Sequence, residues 1–310
     1  MLSRSIRILN FDDSVIKQHN LLSRYKNEII DFKALASDAR LWINMKTKKE
    51  IEERVSGSLQ NAVTFLGSGD FHHISSLLIN QLGQPVSVII FDFHPDMDTL
   101  PPHMGCGSWV NQILRNKNVA KCILAGVSSD DISSGHLQNV NLSYFKDNRV
   151  EIYPYRHEPS NVFLKRVPDN ISIRVKRNPL FSTIYWNELE GRNLGEFFLS
   201  VLKRIPTKQV YISIDKDCLN KENALTNWEE GYLSLEELML MLKLIKENFD
   251  IAGADITGEH SGILIKDKFK NFLSRLDHPK RLAADNAPAQ FITAINEQSN
   301  LKLLELLTSP

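Results

Sequence analysis

The chain is punctuated by short apolar runs that are almost unbroken. IRILNF (6–11), VTFLG (63–67), VSVIIFDF (86–93), KCILAGV (121–127), VEIYPY (150–155), FSTIYW (181–186), VYISID (210–215) and IAGADI (251–256) all read as strands. A strand with one wet face alternates apolar and polar residues. A run that does not alternate needs cover on both faces, which is the situation of a parallel strand between two layers of helices. Helical patterns fill the intervals. The clearest covers 234–249, where Ser234 and Glu237 form a capping box and Leu235, Leu238, Met239, Leu242, Ile245 and Phe249 share one face. Alternating β and α segments predict one three-layer αβα domain over residues 1–310, with a largely parallel central sheet of about eight strands. The 128–180 stretch is weakly patterned and reads as loop-rich.

Charge and cysteine usage narrow the function classes. Lys+Arg and Asp+Glu both number 37, so no basic excess points to nucleic acid or to an anionic membrane. Cys106, Cys122 and Cys218 are far apart and form no CxxC pair, which argues against a disulfide framework or a cysteine zinc site. Cys106 and Cys122 read as packing residues and Trp109 as core. No stretch approaches 18 uninterrupted apolar residues, and the N-terminus lacks the apolar run of a signal peptide. A cytoplasmic protein is expected, with a small cationic substrate as its partner and homo-oligomer formation left open.

The polar clusters sit where strands finish. VTFLGSGDFHHIS ends in Asp70, His72 and His73; VIIFDFHPDMD ends in Asp92, His94, Asp96 and Asp98. VYISIDKDCLN ends in Asp215 and Asp217, and IAGADITGEHSG carries Asp255, Glu259 and His260. Ligands in open parallel sheets bind outside the carboxyl ends of the strands. Side chains two apart on an extended segment point the same way, so Asp92, His94 and Asp96 can converge, as can Asp215 and Asp217. Like charges this close repel unless a cation lies among them. A lone DxD at a strand end is usually a solvated loop, and a lone HH is usually a helix start. Their joint occurrence at several ends of one sheet favours a site, and its oxygen-rich donors suit Mn²⁺ better than structural zinc.

Taken in order, GSGDFHH, DFHPD, SIDKD and DITGEH resemble the motifs of the ureohydrolase family of arginases, agmatinases and formiminoglutamases, over about residues 60–262. The resemblance implies an arginase-like fold and two Mn²⁺ per chain. It implies that His72, Asp92, Asp96 and Asp215 hold one ion, and that Asp92, His94, Asp215 and Asp217 hold the other. It further implies hydrolysis of a C–N bond in a guanidino, amidino or formimino compound by a hydroxide bridging the ions. Asp217 would orient the nucleophile and move a proton, His103 would relay protons to solvent, and Glu259 would pair with the substrate's cationic head group.

The sequence departs from the family pattern in five places, one of them an extra residue before Glu259 in the late motif. Phe71 separates Asp70 from the histidines, so His72 and His73 compete for one role, with His72 favoured. The segment carrying His103 is compressed. Asp98 stands near where an α-carboxylate would bind, which disfavours arginine itself. KENALTNWEEGY replaces the usual loop after SIDKD and brings Trp228 and Glu229 to the border of the pocket, Trp228 as a substrate-binding residue. Two rival readings are a zinc-dependent deacetylase-like amidohydrolase on the related fold and a metal-binding protein without turnover.

Overall fold

The computed structural model describes residues 4–56, 61–101, 104–278 and 283–309. Its strands are β1 (Ser5–Asn10), β2 (Asn27–Asp31), β3 (Ala62–Phe65), β4 (Val86–Phe91), β5 (Val119–Ala125), β6 (Val150–Tyr153), β7 (Ser160–Phe163), β8 (Ile173–Arg177), β9 (Phe181–Trp186), β10 (Gln209–Asp215) and β11 (Asp250–Thr257). Eight of them form one sheet in the order β2-β1-β3-β11-β10-β4-β5-β6. Every neighbouring pair in it is parallel.

Alternation along the strands splits the core into two layers. Val88 and Ile90 of β4 enter one apolar cluster with Leu77, Trp109 and Ile113. Ile89 and Phe91, one residue on, enter the other with Phe198, Leu238, Leu242 and Leu304. Neighbouring residues of one strand therefore serve opposite faces, as period-two geometry requires. The helix Leu235–Asn248 begins at the expected capping box: Ser234 Oγ accepts from the Glu237 amide, and the Glu237 carboxylate accepts from the Ser234 amide. It buries Leu235, Leu238, Met241, Leu242 and Ile245.

The chain order creates a central gap and then fills it. After β3 the chain crosses to β4 and winds outward through β5 and β6. It later returns to insert β10 and β11 between β3 and β4. The carboxyl ends of β3, β11, β10 and β4 thus lie side by side at the point where the winding reverses, the usual place for a ligand crevice in such sheets.

One strand differs from expectation. FSTIYW is β9, but it lies in a separate antiparallel sheet of order β7-β9-β8. It buries alternate residues, Ser182, Ile184 and Trp186, so it has one covered face rather than two. Its expected place in the main sheet is filled by β2, whose sequence NEIID is half exposed and carries Glu28, paired with Arg7 of β1. Short, charged strands are what sheet edges tolerate, and they leave little apolar signal in a sequence.

Gly231 packs against the turn that follows β10. A Cβ there would lie 2.1 Å from the Cys218 carbonyl oxygen and 2.7 Å from that of Asp217, and neither backbone atom can move aside. Gly231→Ala should lower the denaturant midpoint by an amount equivalent to roughly 2–3 kcal/mol. Gly83→Ala, with nothing within 4 Å of the added carbon, should leave it near the parental value.

Candidate metal centre

Four carboxylates and two imidazoles converge at the reversal point. His72 enters from the turn after β3, Asp92, His94 and Asp96 from the end of β4, and Asp215 and Asp217 from the end of β10. His72 Nδ1 lies 3.1 Å from Asp92 Oδ2 and 3.4 Å from both Asp96 Oδ2 and Asp215 Oδ2. His94 Nδ1 lies 3.0 Å from Asp217 Oδ2 and 3.7 Å from Asp92 Oδ1. Two groups of donor atoms are close enough to hold an ion, His72–Asp92–Asp96 and Asp92–His94–Asp217. Asp92 belongs to both. The residues border a cavity of about 120 Å³ that Gly69, Asp98, Cys106, Gly107, Asp131 and Trp228 also line.

Local backbone geometry brings the donors together. Asp96 adopts φ +51°, a left-handed conformation that aspartate tolerates better than most residues. Gly258 has φ +81°, and a Cβ on it would strike Asp215 Oδ1 at 2.4 Å. The absence of a side chain there leaves Asp215 its place.

The donor set fits a cation. Asp92 Oδ2 is buried and receives no aligned hydrogen bond. His72 Nε2 faces Ser213 Oγ at 2.9 Å, and that hydroxyl donates to Asp255 Oδ1 at 2.7 Å. Ser213 therefore accepts from His72, which leaves the Nδ1 lone pair for the carboxylate side. Without an ion the cluster draws protons instead. Burial and the neighbouring Asp92 push Asp96 up to about 7, and burial with Asp92 pushes Asp217 up to about 6. Burial with Asp217 raises Asp215 well above the usual carboxylate range. Burial opposes charge on His72 and His94, yet their carboxylate contacts outweigh it and raise both well above 6.5. Two other buried acids at this end are matched by protein cations, Asp70 by Arg40 and Glu259 by Lys216, and a third, Asp255, accepts from the Tyr211 and Ser213 hydroxyls. No Lys or Arg among the described residues pairs with the four clustered aspartates.

No protein-family model matches the chain. A Thermotoga maritima protein described only as uncharacterized is 26% identical over 259 residues, 84% of this chain and 81% of that one. Among solved structures, the formimidoylglutamase of Bacillus subtilis superposes with a TM-score of 0.62 at 13% identity, covering 98% of this chain and 86% of its own. Arginase from Bacillus subtilis superposes with a TM-score of 0.57 at 12% identity, covering 100% and 99%. The fold is arginase-like. The amidino hydrolase acting on proclavaminate from Streptomyces clavuligerus shares it, with a TM-score of 0.54 at 12% identity over 99% of this chain and 93% of its own.

Within this arginase-like frame, several residues surround the cluster as expected and others do not. His72 faces the carboxylates. Both ring nitrogens of His73 are buried without a hydrogen bond, and burial pulls its pKa down to about 3. Asp98 and Trp228 line the cavity. Trp228 Nε1 donates to Asp70 Oδ1 at 3.0 Å, and its ring stacks on His278 at 4.5 Å. Burial works to raise Asp70, but His278 and Arg40 hold it at about 2. His103 lies outside the described residues. Sequence reasoning passed over Asp131, on the cavity wall, and the role of Trp109. Trp109 is core, as expected, but its Nε1 also donates to Asp96 Oδ2 at 2.6 Å.

Glu259 is not brought to the cavity. Its carboxylate is taken up by Lys216 Nζ, Gln18 Nε2 and Asn300 Nδ2, all of them buried. A pocket facing a substrate cation would leave those oxygens free; here they neutralise a lysine that is wholly enclosed. Glu259→Ala should therefore cost about 3–5 kcal/mol of stability in metal-free protein, because Lys216 loses its counter-charge. Urea unfolding in chelator measures it. A variant as stable as the parent would restore the case for a substrate contact.

Proposed function

We propose that the chain is a binuclear-manganese hydrolase that cleaves a C–N bond of a guanidino, amidino or formimino compound, a hydrolase of linear amidines. The carrying observation is Asp92, whose two oxygens serve both donor groups within an arginase-like fold. His72, Asp92, Asp96 and Asp215 would hold one ion, and Asp92, His94, Asp215 and Asp217 the other. Two such ions would supply Lewis acidity that lowers the pKa of a bound water towards neutrality.

The chain's own groups do the rest. Trp228, fixed at its indole N–H by Asp70, offers a flat π-face to a planar cation. Asp98 and Asp131 place negative charge on the wall, which favours a cationic substrate and disfavours one presenting a carboxylate in that direction. Asp217, held by the Phe93 amide and facing His94, would orient the attacking water and carry its proton to the leaving nitrogen. The structural neighbours are a formimidoylglutamase, an arginase and an amidino hydrolase, and the chemistry their names share is a carbon bearing two nitrogens.

Metal analysis after gel filtration tests the site. The parent should retain about two divalent ions, preferentially Mn²⁺. Asp215→Ala, which removes a carboxylate shared by both ions, should empty it nearly completely. Asp217→Ala should keep one ion. Equal loss in the two variants would reject Asp215 as a bridge, and a single zinc with no capacity for a second ion would favour the deacetylase reading.

A panel of guanidino, amidino and formimino compounds, scored for urea, ammonia or formamide, tests turnover. Cationic members without an α-carboxylate should be hydrolysed, and arginine should be a poor substrate. Efficient arginine hydrolysis would overturn the role given to Asp98. A fully loaded protein that turns over none of the panel would favour metal binding without catalysis.

A further inference from the structure

The two imidazoles of the cluster have different outer partners. His72 Nε2 meets a buried hydroxyl, Ser213 Oγ. His94 Nε2 instead lies 3.3 Å from Glu229 Oε2. That oxygen is buried and has no other hydrogen-bond partner, although the glutamate side chain as a whole is 44% exposed. The pair is a close contact rather than a fully aligned hydrogen bond. Glu229 comes from the loop after β10, far in sequence from β4. The same loop presents Trp228, whose ring meets His94 edge-on at 5.5 Å, while Phe93 meets it edge-on at 5.2 Å. The His94 ring is thus flanked by two aromatic rings and faced at its outer nitrogen by one carboxylate.

An imidazole that offers Nδ1 to a cation carries its proton on Nε2, and that N–H needs an acceptor. We propose that Glu229 is the positioning residue of the His94 subsite: it fixes the tautomer and orientation of His94 and thereby sets the affinity of one of the two ions and not the other. The proposal rests on the binuclear reading above. The Ser213–Asp255 pair does the same for His72, so loss of Glu229 leaves the His72 ion untouched. Outer carboxylates on ligating histidines are worth about 10–100-fold in metal affinity.

The test is Mn²⁺ titration of metal-free protein, followed by calorimetry and by the free-ion electron paramagnetic resonance signal. Parent, Glu229→Ala and Glu229→Gln are compared, with thermal unfolding of the metal-free forms as a control. Glu229→Ala should weaken one of two binding steps by about 10–100-fold and leave the other at the parental value. Glu229→Gln, whose amide oxygen still accepts from Nε2, should recover most of the loss. In an Asp217→Ala background, where only the His72 ion remains, Glu229→Ala should have no further effect. The metal-free unfolding midpoints should agree. Unchanged affinities, equal weakening of both steps, or no rescue by glutamine would overturn the proposal while leaving the binuclear site standing. A parent that takes up only one ion would remove the binuclear reading, and this proposal with it.

Discussion

Four clustered aspartates share one buried cavity with no lysine or arginine among the described residues to neutralise them, and the rest of the architecture is arranged around that imbalance. Elsewhere in the interior three buried acids are paired with lysine or arginine. Glu151 meets Lys121 and Arg204, Asp70 meets Arg40, and Glu259 meets Lys216. Desolvating a carboxylate is costly, and a buried partner is the usual compensation. At Asp92, Asp96, Asp215 and Asp217 that compensation is missing, and protons are drawn in to replace it. The positive charge is left to come from outside the polypeptide. The order of the sheet makes this possible, since β10 and β11 enter last between β3 and β4 and align four strand ends that are distant in sequence.

The supporting groups tie the donors in place. Ser213 and Asp255 orient His72, Trp109 anchors Asp96, and the Phe93 amide donates to Asp217 Oδ1 at 3.1 Å. Each of these links is short and buried, and each ties a donor to an element other than its own. A site assembled in this way is preorganised: its geometry is set by packing and hydrogen bonds rather than by the ligand.

Much of this was legible because strand chemistry is local. Near-continuous apolar runs revealed seven of the eight strands in the main sheet, and the two-residue spacing of Asp92, His94 and Asp96 showed that their side chains could meet. What stayed hidden was tertiary. NEIID carries too much charge to read as a strand, because edge position rather than burial holds it. FSTIYW reads like its neighbours but covers only one face, and no local pattern says which sheet it joins. The Trp109 contact with Asp96 spans a loop whose path the sequence does not specify. Glu259 shows the opposite failure. The motif order assigned it to a substrate, whereas the lysine inside SIDKD is turned away from the cluster and claims it. A lysine between two clustered aspartates was the available signal, since a cation excluded from the cluster must find its counter-charge behind it.

The loop after β10 then shapes the cavity. Arg40 fixes Asp70, Asp70 fixes the Trp228 indole, and Trp228 stands between His278 and His94. Glu229, the next residue, closes on the far side of His94. One short turn therefore supplies both a wall of the cavity and the carboxylate that faces His94. A rigid aromatic wall beside about 120 Å³ of space limits by size what can enter. The acidic residues around it select by charge. Shape and charge together suit the small planar cation proposed as substrate.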